Sequence, residues 1–355
     1  MITIKEIARM LGVSPTTVSN VLNGRTEKMS EQTRIKIEEM LVQCHYVQES
    51  RKREGQEELK LVLAQFYFGG RERVFTDPFC AELFETMHRE LAAKGRNLVC
   101  STVETEEAFL RTLSGRNVEG GIVLGCEPSR CESLRRRALK PLVFIDSGEG
   151  NYDNIGLQDE LGAWMMVSYL IRQGHERIAF FCDEEMPKAS NLERFHGYCR
   201  ALADCGLGFN REDYYYLPAD RNLREAIYRQ FAREAGTKGY TAAFFVADFY
   251  ANEAINGFFA AGLKVPEDLS AAGFDDNVYA RLSRPMLTTV RQQPGEKGRE
   301  AVRLLLKRIY GQEVLVRSME LPTELIVRDS VRNIRAVRGD EKRPVGERSG
   351  IMRLE

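Results

Sequence analysis

The sequence predicts two unlike parts: an N-terminal all-α helix-turn-helix headpiece and, behind it, an α/β part made of two doubly wound lobes. Three observations carry this. Residues 4–22 hold two short apolar stripes at helical spacing, divided by Gly12 and restarted at Ser14-Pro15. From Leu59 apolar runs alternate with helical stretches, the mark of βαβ units and a parallel sheet. The alternation runs through twice, giving two sheets with a cleft between them, and ligands sit outside the carboxyl ends of such strands.

The first helix carries Ile4, Ile7, Ala8 and Leu11 on one face. Thr3 and Glu6 have capping-box spacing: the hydroxyl takes an orphan N–H while the carboxylate reaches back. Gly12 supplies the stop. Ser14 caps the second helix and Pro15 fills its first position, where no N–H is needed. Val18, Val21 and Leu22 are its buried stripe, and Asn23-Gly24 ends it. Ser30 caps a third helix whose Ile37, Met40, Leu41 and Cys44 close the small core. The polar side of the second helix holds Ser14, Thr16, Thr17, Ser19 and Asn20, where a helix needing only solubility would carry Glu and Lys. Compact hydrogen-bonding groups of this kind reach base edges and phosphates in a major groove; a helical hairpin that binds another protein is the other reading. Residues 1–36 hold six Lys/Arg against three Glu. That is a modest footprint for DNA, so one copy binds weakly and a dimer doubles the charge.

Residues 47–58 are polar and charged and read as a hinge or linker. The first βαβ series is Leu59–Phe66, helix 79–94, Asn97–Ser101, helix 104–113, Gly120–Leu124, helix 130–138 and Leu142–Ile145. The second is helix 158–173, Arg177–Cys182, helix 190–205, a strand near Tyr214–Leu217, helix 222–235, Ala242–Val246, helix 249–261 and Leu269–Gly273. Leu287–Val290, helix 295–310 and Met319–Leu321 close the fold. The expected division is a DNA-binding part at 1–46, a linker at 47–58 and an effector-binding and dimerisation part at 59–330. Within the last, one lobe takes about 59–157 and 290–317, the other about 158–289 and 318–330. Residues 331–355 are charged, poor in apolar groups and read as a flexible tail.

The run Ile4–Gly24, IKEIARMLGVSPTTVSNVLNG, with Met29-Ser-Glu-Gln-Thr33 and Tyr46, resembles the DNA-binding segment of the lactose-repressor (LacI/GalR) family of bacterial transcription regulators. The resemblance continues through Asp153-Asn-Ile-Gly, Leu170-Ile-Arg-Gln-Gly-His175-Glu-Arg-Ile-Ala, Arg194-Phe-His-Gly-Tyr198, Val265-Pro-Glu-Asp-Leu-Ser, Gly273-Phe-Asp-Asp276 and Leu287-Thr-Thr-Val. It implies a periplasmic-binding-protein-like effector domain and a sequence-specific, homodimeric regulator. Such a regulator represses sugar-catabolic genes at a pseudo-palindromic operator, under a small-molecule effector that is a sugar or sugar derivative. A regulator answering to a protein partner, and a transport-type solute-binding protein, stand beside that reading.

By the resemblance, base-contacting positions fall on Ser14, Pro15, Thr16 and Asn20, and phosphate-contacting ones on Thr17 and Asn23; Thr3 and Tyr46 complete the DNA-binding set. Many relatives carry Arg where Asn20 stands. Arg prefers guanine and Asn adenine, so the half-site differs there. In the linker the family's apolar wedge falls on Gly55 and a usual Ala on Lys52, which removes the group that kinks a base step. Arg51, Lys52 and Arg53 remain as phosphate contacts, with Leu59 as an alternative wedge. Ligand-contacting positions fall on Asp146, Arg194 and Asp275, and Phe79 matches an aromatic that packs on the ligand. Asp248 matches the second member of an Asn-Asp pair whose first is Ala247 here, and Arg221 falls where some relatives place a stacking aromatic. Carboxylates and a guanidinium at strand ends bracket hydroxyls. The residues also allow plainer roles: Asp275 as a helix cap paired with Arg194, Phe79 as a core residue, Arg221 as a surface Arg. Arg221 facing the ligand would point to an anionic effector such as a sugar acid or phosphosugar.

Several function classes find no support. There is no G-x-S-x-G elbow and no P-loop, and the four His are scattered, with His175-Glu176 lacking the second His of a zincin. The expectation is no enzyme, no catalytic residue, no metal and no cofactor. Eight Cys without a C-x-x-C pair read as reduced structural thiols of a cytoplasmic protein. No signal peptide and no apolar stretch long enough to span a bilayer are evident, so no membrane partner is expected. No leucine heptad marks the tail, which favours a dimer over a tetramer.

Overall fold

A computed structural model describes residues 3–22, 29–43, 59–68, 74–312, 315 and 318–335. The chain forms two compact units, Met1–Glu58 and Leu59–Glu355. Asn23, Cys44, Tyr46, the linker 47–58 with Gly55, and the tail after 335 lie outside the described residues.

The first unit holds α1 (Ile4–Leu11), α2 (Pro15–Leu22) and α3 (Glu31–Gln43). The capping box forms: the Glu6 N–H donates to Thr3 Oγ1 at 3.3 Å and the Thr3 N–H donates to Glu6 Oε2 at 2.7 Å. Gly12 takes the left-handed conformation at φ 66°, and the Val13 N–H returns to the Ala8 carbonyl at 3.0 Å and the Gly12 N–H to the Arg9 carbonyl at 3.3 Å, which caps these two carbonyls as the chain turns. Ile7, Ala8 and Val18 pack on Ile37 and Leu41 of α3.

In the second unit two six-stranded sheets form. The first has the order β11-β5-β4-β3-β1-β2, from β1 (Leu61–Phe66), β2 (Asn97–Ser101), β3 (Val118–Leu124), β4 (Leu142–Ile145), β5 (Asn154–Leu157) and β11 (Ser318–Leu321). The second has the order β12-β10-β9-β8-β6-β7, from β6 (Ile178–Cys182), β7 (Tyr214–Tyr216), β8 (Ala242–Phe245), β9 (Ser270–Asp275), β10 (Thr288–Arg291) and β12 (Glu324–Ile326). All pairings are parallel except β10–β12. The helices are α4 (Pro78–Ala92), α5 (Glu106–Leu113), α6 (Pro128–Arg137), α7 (Asp159–Arg172), α8 (Ala189–Asp204), α9 (Arg221–Lys238), α10 (Asp248–Ala260), α11 (Val278–Leu282) and α12 (Pro294–Ile309). Helix α12 packs on α4 over the first sheet, and α7 packs on α8 over the second. The second core is rich in Phe: Phe180, Phe181, Phe244, Phe245, Phe258 and Phe274 are fully buried. Each contributes about 1.5–3 kcal/mol of burial.

The chain crosses between lobes after β5, after β10 and after β11. This corrects one expected boundary. The sequence reading places residues 318–330 in the second lobe, but β11 pairs with β5 and extends the first sheet; only β12 joins the second. Strand β10 likewise runs to Arg291 in the second sheet, so the crossing falls at Gln292-Gln293. Strand β5 is absent from the sequence reading because its Asn and Gly are poor strand formers; burial of all four residues holds it.

Candidate functional site

In the first unit Ser14 accepts the Thr17 N–H at 3.0 Å, and the Ser14 and Thr17 hydroxyls lie 2.7 Å apart. These bonds fix the start of α2. Ser14, Pro15 and Thr16 are exposed and Thr17 and Asn20 half-exposed, while Val18 is buried. Thr3, at the head of α1, is occupied as a cap.

A cavity of about 320 Å³ lies between the lobes of the second unit. The carboxyl ends of both sheets supply its walls: Tyr67 and Phe68 after β1, Gly125 and Cys126 after β3, Asp146 after β4, Asp183 after β6, Ala247 after β8 and Asp275 at the end of β9. This is where strand order reverses in doubly wound sheets. Tyr67, Asp146, Ala189 and Asp275 line it with φ of 47°, 51°, 43° and 127°. Asp276, the remaining described non-Gly residue with positive φ, follows directly at 58°. Each such conformation costs on the order of 1–3 kcal/mol, and backbone strain of this kind gathers at functional sites. Gly125 lets the Tyr67 ring approach, since a Cβ there would stand 2.3 Å from it.

Four of the six expected effector residues meet here. Asp146 holds the ammonium of Lys297 at 2.6 and 2.7 Å, and Lys297 also donates to Gln292 Oε1 at 3.0 Å. Gln292 in turn donates to Asp275 Oδ1 at 2.5 Å, so one chain of bonds runs from the first lobe through a crossing segment to the second. Arg194 donates to Asp159 at 2.7 Å and to the Val246 carbonyl at 2.6 Å, and its guanidinium stacks 3.8 Å from the Phe274 ring centre. Phe79 lies under the Lys297 ammonium at 5.1 Å and contributes to the cavity wall while being otherwise buried.

The other two are elsewhere. Arg221 is outside the cavity lining, its side chain 68% exposed and paired with Glu225 one turn on, because it opens α9 at the surface. The anionic-effector argument built on it therefore falls. Asp248 is fully buried beside β9: it accepts the Thr289 hydroxyl at 2.6 Å and the Asn277 N–H at 3.0 Å. Gly273 makes room for it, since a Cβ there would stand 2.3 Å from its carboxylate. It staples strands and helix rather than lining the cavity.

Sequence reasoning missed Lys297, Gln292, Asn191, Asp77 and Asp183. Lys297 had a signal: it is the one charged member of the α12 stripe Pro294, Lys297, Gly298, Ala301, Val302, Leu305, all buried. Its partner is 151 residues away, which periodicity does not reveal.

Loss of surrounding water pushes the Asp275 carboxyl up to about 7, with Arg194 and Lys297 opposing and Asp77 assisting. Desolvation also raises Asp159 and Asp248. A carboxyl with a higher pKa folded than unfolded takes up a proton on folding. Its contribution is full below its unfolded value and is lost as pH rises through the folded one. The urea midpoint of the second unit is therefore expected to fall from about pH 5 to about pH 8, and Asp275→Asn to flatten that decline. An unchanged slope would assign the effect away from Asp275.

Residues 3–49 match the bacterial regulatory proteins of the lacI family, and residues 167–331 match the periplasmic binding protein-like domain. The chain is 30% identical over 354 residues to the HTH-type transcriptional repressor PurR of Aliivibrio fischeri (strain MJ11), covering 94% of this chain and 99% of that one. Among solved structures, the transcriptional regulator CelR–cellobiose complex has a TM-score of 0.68 at 25% identity, covering 93% of this chain and 100% of that one. The lac repressor dimer bound to operator and the anti-inducer ONPF shares the fold, with a TM-score of 0.67 at 22% identity, covering 93% and 99%. With a relative of this identity matched over nearly its whole length, the chain belongs to the lacI family of bacterial regulatory proteins and is a DNA-binding transcriptional regulator under effector control.

Proposed function

We propose that the chain acts in the cytoplasm as a homodimeric repressor and reads a pseudo-palindromic operator. Ser14, Pro15, Thr16 and Asn20 face bases, Thr17 and Asn23 face phosphates, and Thr3 and Tyr46 flank them. Two-fold symmetry of the protein is then mirrored in the half-sites. Support comes from α2, whose exposed start is fixed by the Ser14–Thr17 bonds while Val18 is locked in the core. Asn20→Ala is expected to cost about 1–3 kcal/mol on the best operator and to relax one base position, as read by binding selection from a randomised duplex pool. An equal loss on every sequence would make Asn20 a backbone contact.

In the same reading the cavity takes a small sugar or sugar derivative, held by Phe79, Asp146, Arg194 and Asp275 and controlling genes of sugar use. No reaction is assigned to it. The observation that carries this is the clustering of strained residues and half-buried carboxylates from both lobes around one cavity. An effector bound there alters operator affinity only through its different affinity for two arrangements of the protein, commonly about 1–3 kcal/mol of coupling. Anisotropy titrations of operator with and without a sugar panel test it: a shift of about 5–150-fold supports the reading. Unchanged operator affinity with every sugar contradicts it.

A further inference from the structure

A second cavity, of about 430 Å³, opens between the lobes beside the first, and Phe79, Asp275 and Gln292 belong to the walls of both. Its size suits a small molecule. Helix α4 gives it three polar side chains, Glu82, Thr86 and Arg89, spaced four and three residues apart and so on one face. Helix α11 adds Arg281 from the second lobe. Other charges in the wall are already answered. Arg291 and Arg328 hold Asp276, Arg299 holds Glu296, and the Gln292 and Asn277 amides donate to Asp275. The exposed Glu82, Arg89 and Arg281 are not answered: among the described residues their side chains have no ion pair and no hydrogen bond. Glu82 and Arg89 stand two helical turns apart, about 10 Å along the axis, too far to answer one another.

Free surface charges alone do not make a site; Thr86 supplies the second observation. The residue is only 4% exposed, yet its hydroxyl has no hydrogen-bond partner among the described residues. Thr112 on α5 returns its hydroxyl to the carbonyl four residues back, at 3.0 Å, and Thr86 does not. Its oxygen opens to the groove against Gly295, where a Cβ would stand 3.4 Å from it and 3.3 Å from Glu82 Oε1. A desolvated hydroxyl without a partner is costly, and a ligand's hydrogen bond recovers that cost. Along α4 the groove thus offers a carboxylate, a hydroxyl and a guanidinium, with a second guanidinium from the other lobe. A molecule with an ammonium at one end and a carboxylate at the other satisfies all four, and guanidiniums grip carboxylates bidentately. A phosphate meets Glu82, a plain amine meets two arginines, and a neutral sugar leaves all three charges unanswered.

We infer that this groove is a second small-molecule site, for a zwitterion of the amino-acid class, with its carboxylate between Arg89 and Arg281 and its ammonium at Glu82. Such a ligand ties α4 of the first lobe to α11 of the second, so it acts on the same two-lobe equilibrium as a ligand of the first cavity. Calorimetry of the full chain tests this, with the common amino acids, their N-acetyl and carboxamide derivatives and inorganic phosphate as probes. At least one amino acid should bind about tenfold or more tighter than both of its derivatives and than phosphate. Arg89→Gln combined with Arg281→Gln should weaken that binding about tenfold or more, and so should Glu82→Gln. Thr86→Val, which removes the hydroxyl and keeps the branched shape, should weaken it about fivefold. The exposed Arg and Glu variants should keep the Trp164 urea midpoint, which separates lost binding from lost fold. Absence of binding by every amino acid, equal binding of the derivatives, or binding that survives in the variants would each overturn the inference.

Discussion

Lys297→Met is expected to cost the second unit about 3–5 kcal/mol, because it removes one member of a buried ion pair and strands the other. The Lys297 side chain is wholly buried, and its three bonds go to both oxygens of Asp146 and to Gln292. Without the ammonium, a carboxylate on a residue with φ 51° faces the cavity floor with its cation gone. Gln292 also loses the partner that orients its amide toward Asp275. Restoring charge balance with Asp146→Asn in the same chain should recover part of the loss, since the cost lies in the stranded charge more than in the absent attraction. Trp164, the chain's single tryptophan, sits on α7 in this unit and reports its unfolding in urea. A loss under about 1 kcal/mol, typical of exposed pairs, would mean that water reaches the pair and that it does not hold the lobes' floor.

The largest functional effect is expected from Val18→Asp. Among the described residues the core of the first unit consists of few side chains: Ile7, Ala8, Val18, Ile37 and Leu41 are buried, with a handful of half-buried neighbours. So small a unit has little stability in reserve. A carboxylate at a fully buried position costs several kcal/mol and should unfold it. Operator binding should fall by more than about 100-fold, which needs only about 3 kcal/mol. The Trp164 urea midpoint of the second unit should not move. Retained operator binding would show that the three-helix core does not present the reading surface. A shifted midpoint would show that the second unit draws stability from the first.

Much of the architecture was legible because local chemistry determined it. The Thr3–Glu6 box, Gly12 and the Ser14-Pro15 start carry their helix boundaries in their own side chains. Strands β2 and β4 coincide with their apolar runs. What was not legible depends on distant partners. Strand β11 was assigned to the wrong lobe, because only its pairing with β5 decides this, and the two are far apart in the chain. Asp248 and Asp275 both look like strand-end or helix-start carboxylates. Gly273 and Thr289 bury the first, while the strained backbone of the second turns it to the cavity. Arg221 matches a ligand position by alignment, yet as the first residue of α9 it is drawn outward to Glu225.

The central claim is that the short polar groups at the start of α2 read a duplex and that the cavity between the lobes governs how tightly they do so. Its most direct test is one titration. The purified full chain is added to the best pseudo-palindromic duplex recovered by selection, and to a scrambled duplex of equal length and composition, at about 0.15 M salt, with and without the tightest cavity ligand. The account predicts a preference for the selected duplex of about 10³-fold or more, and a ligand-dependent change in that affinity alone. Equal affinity for the two duplexes, unmoved by ligand, would contradict it.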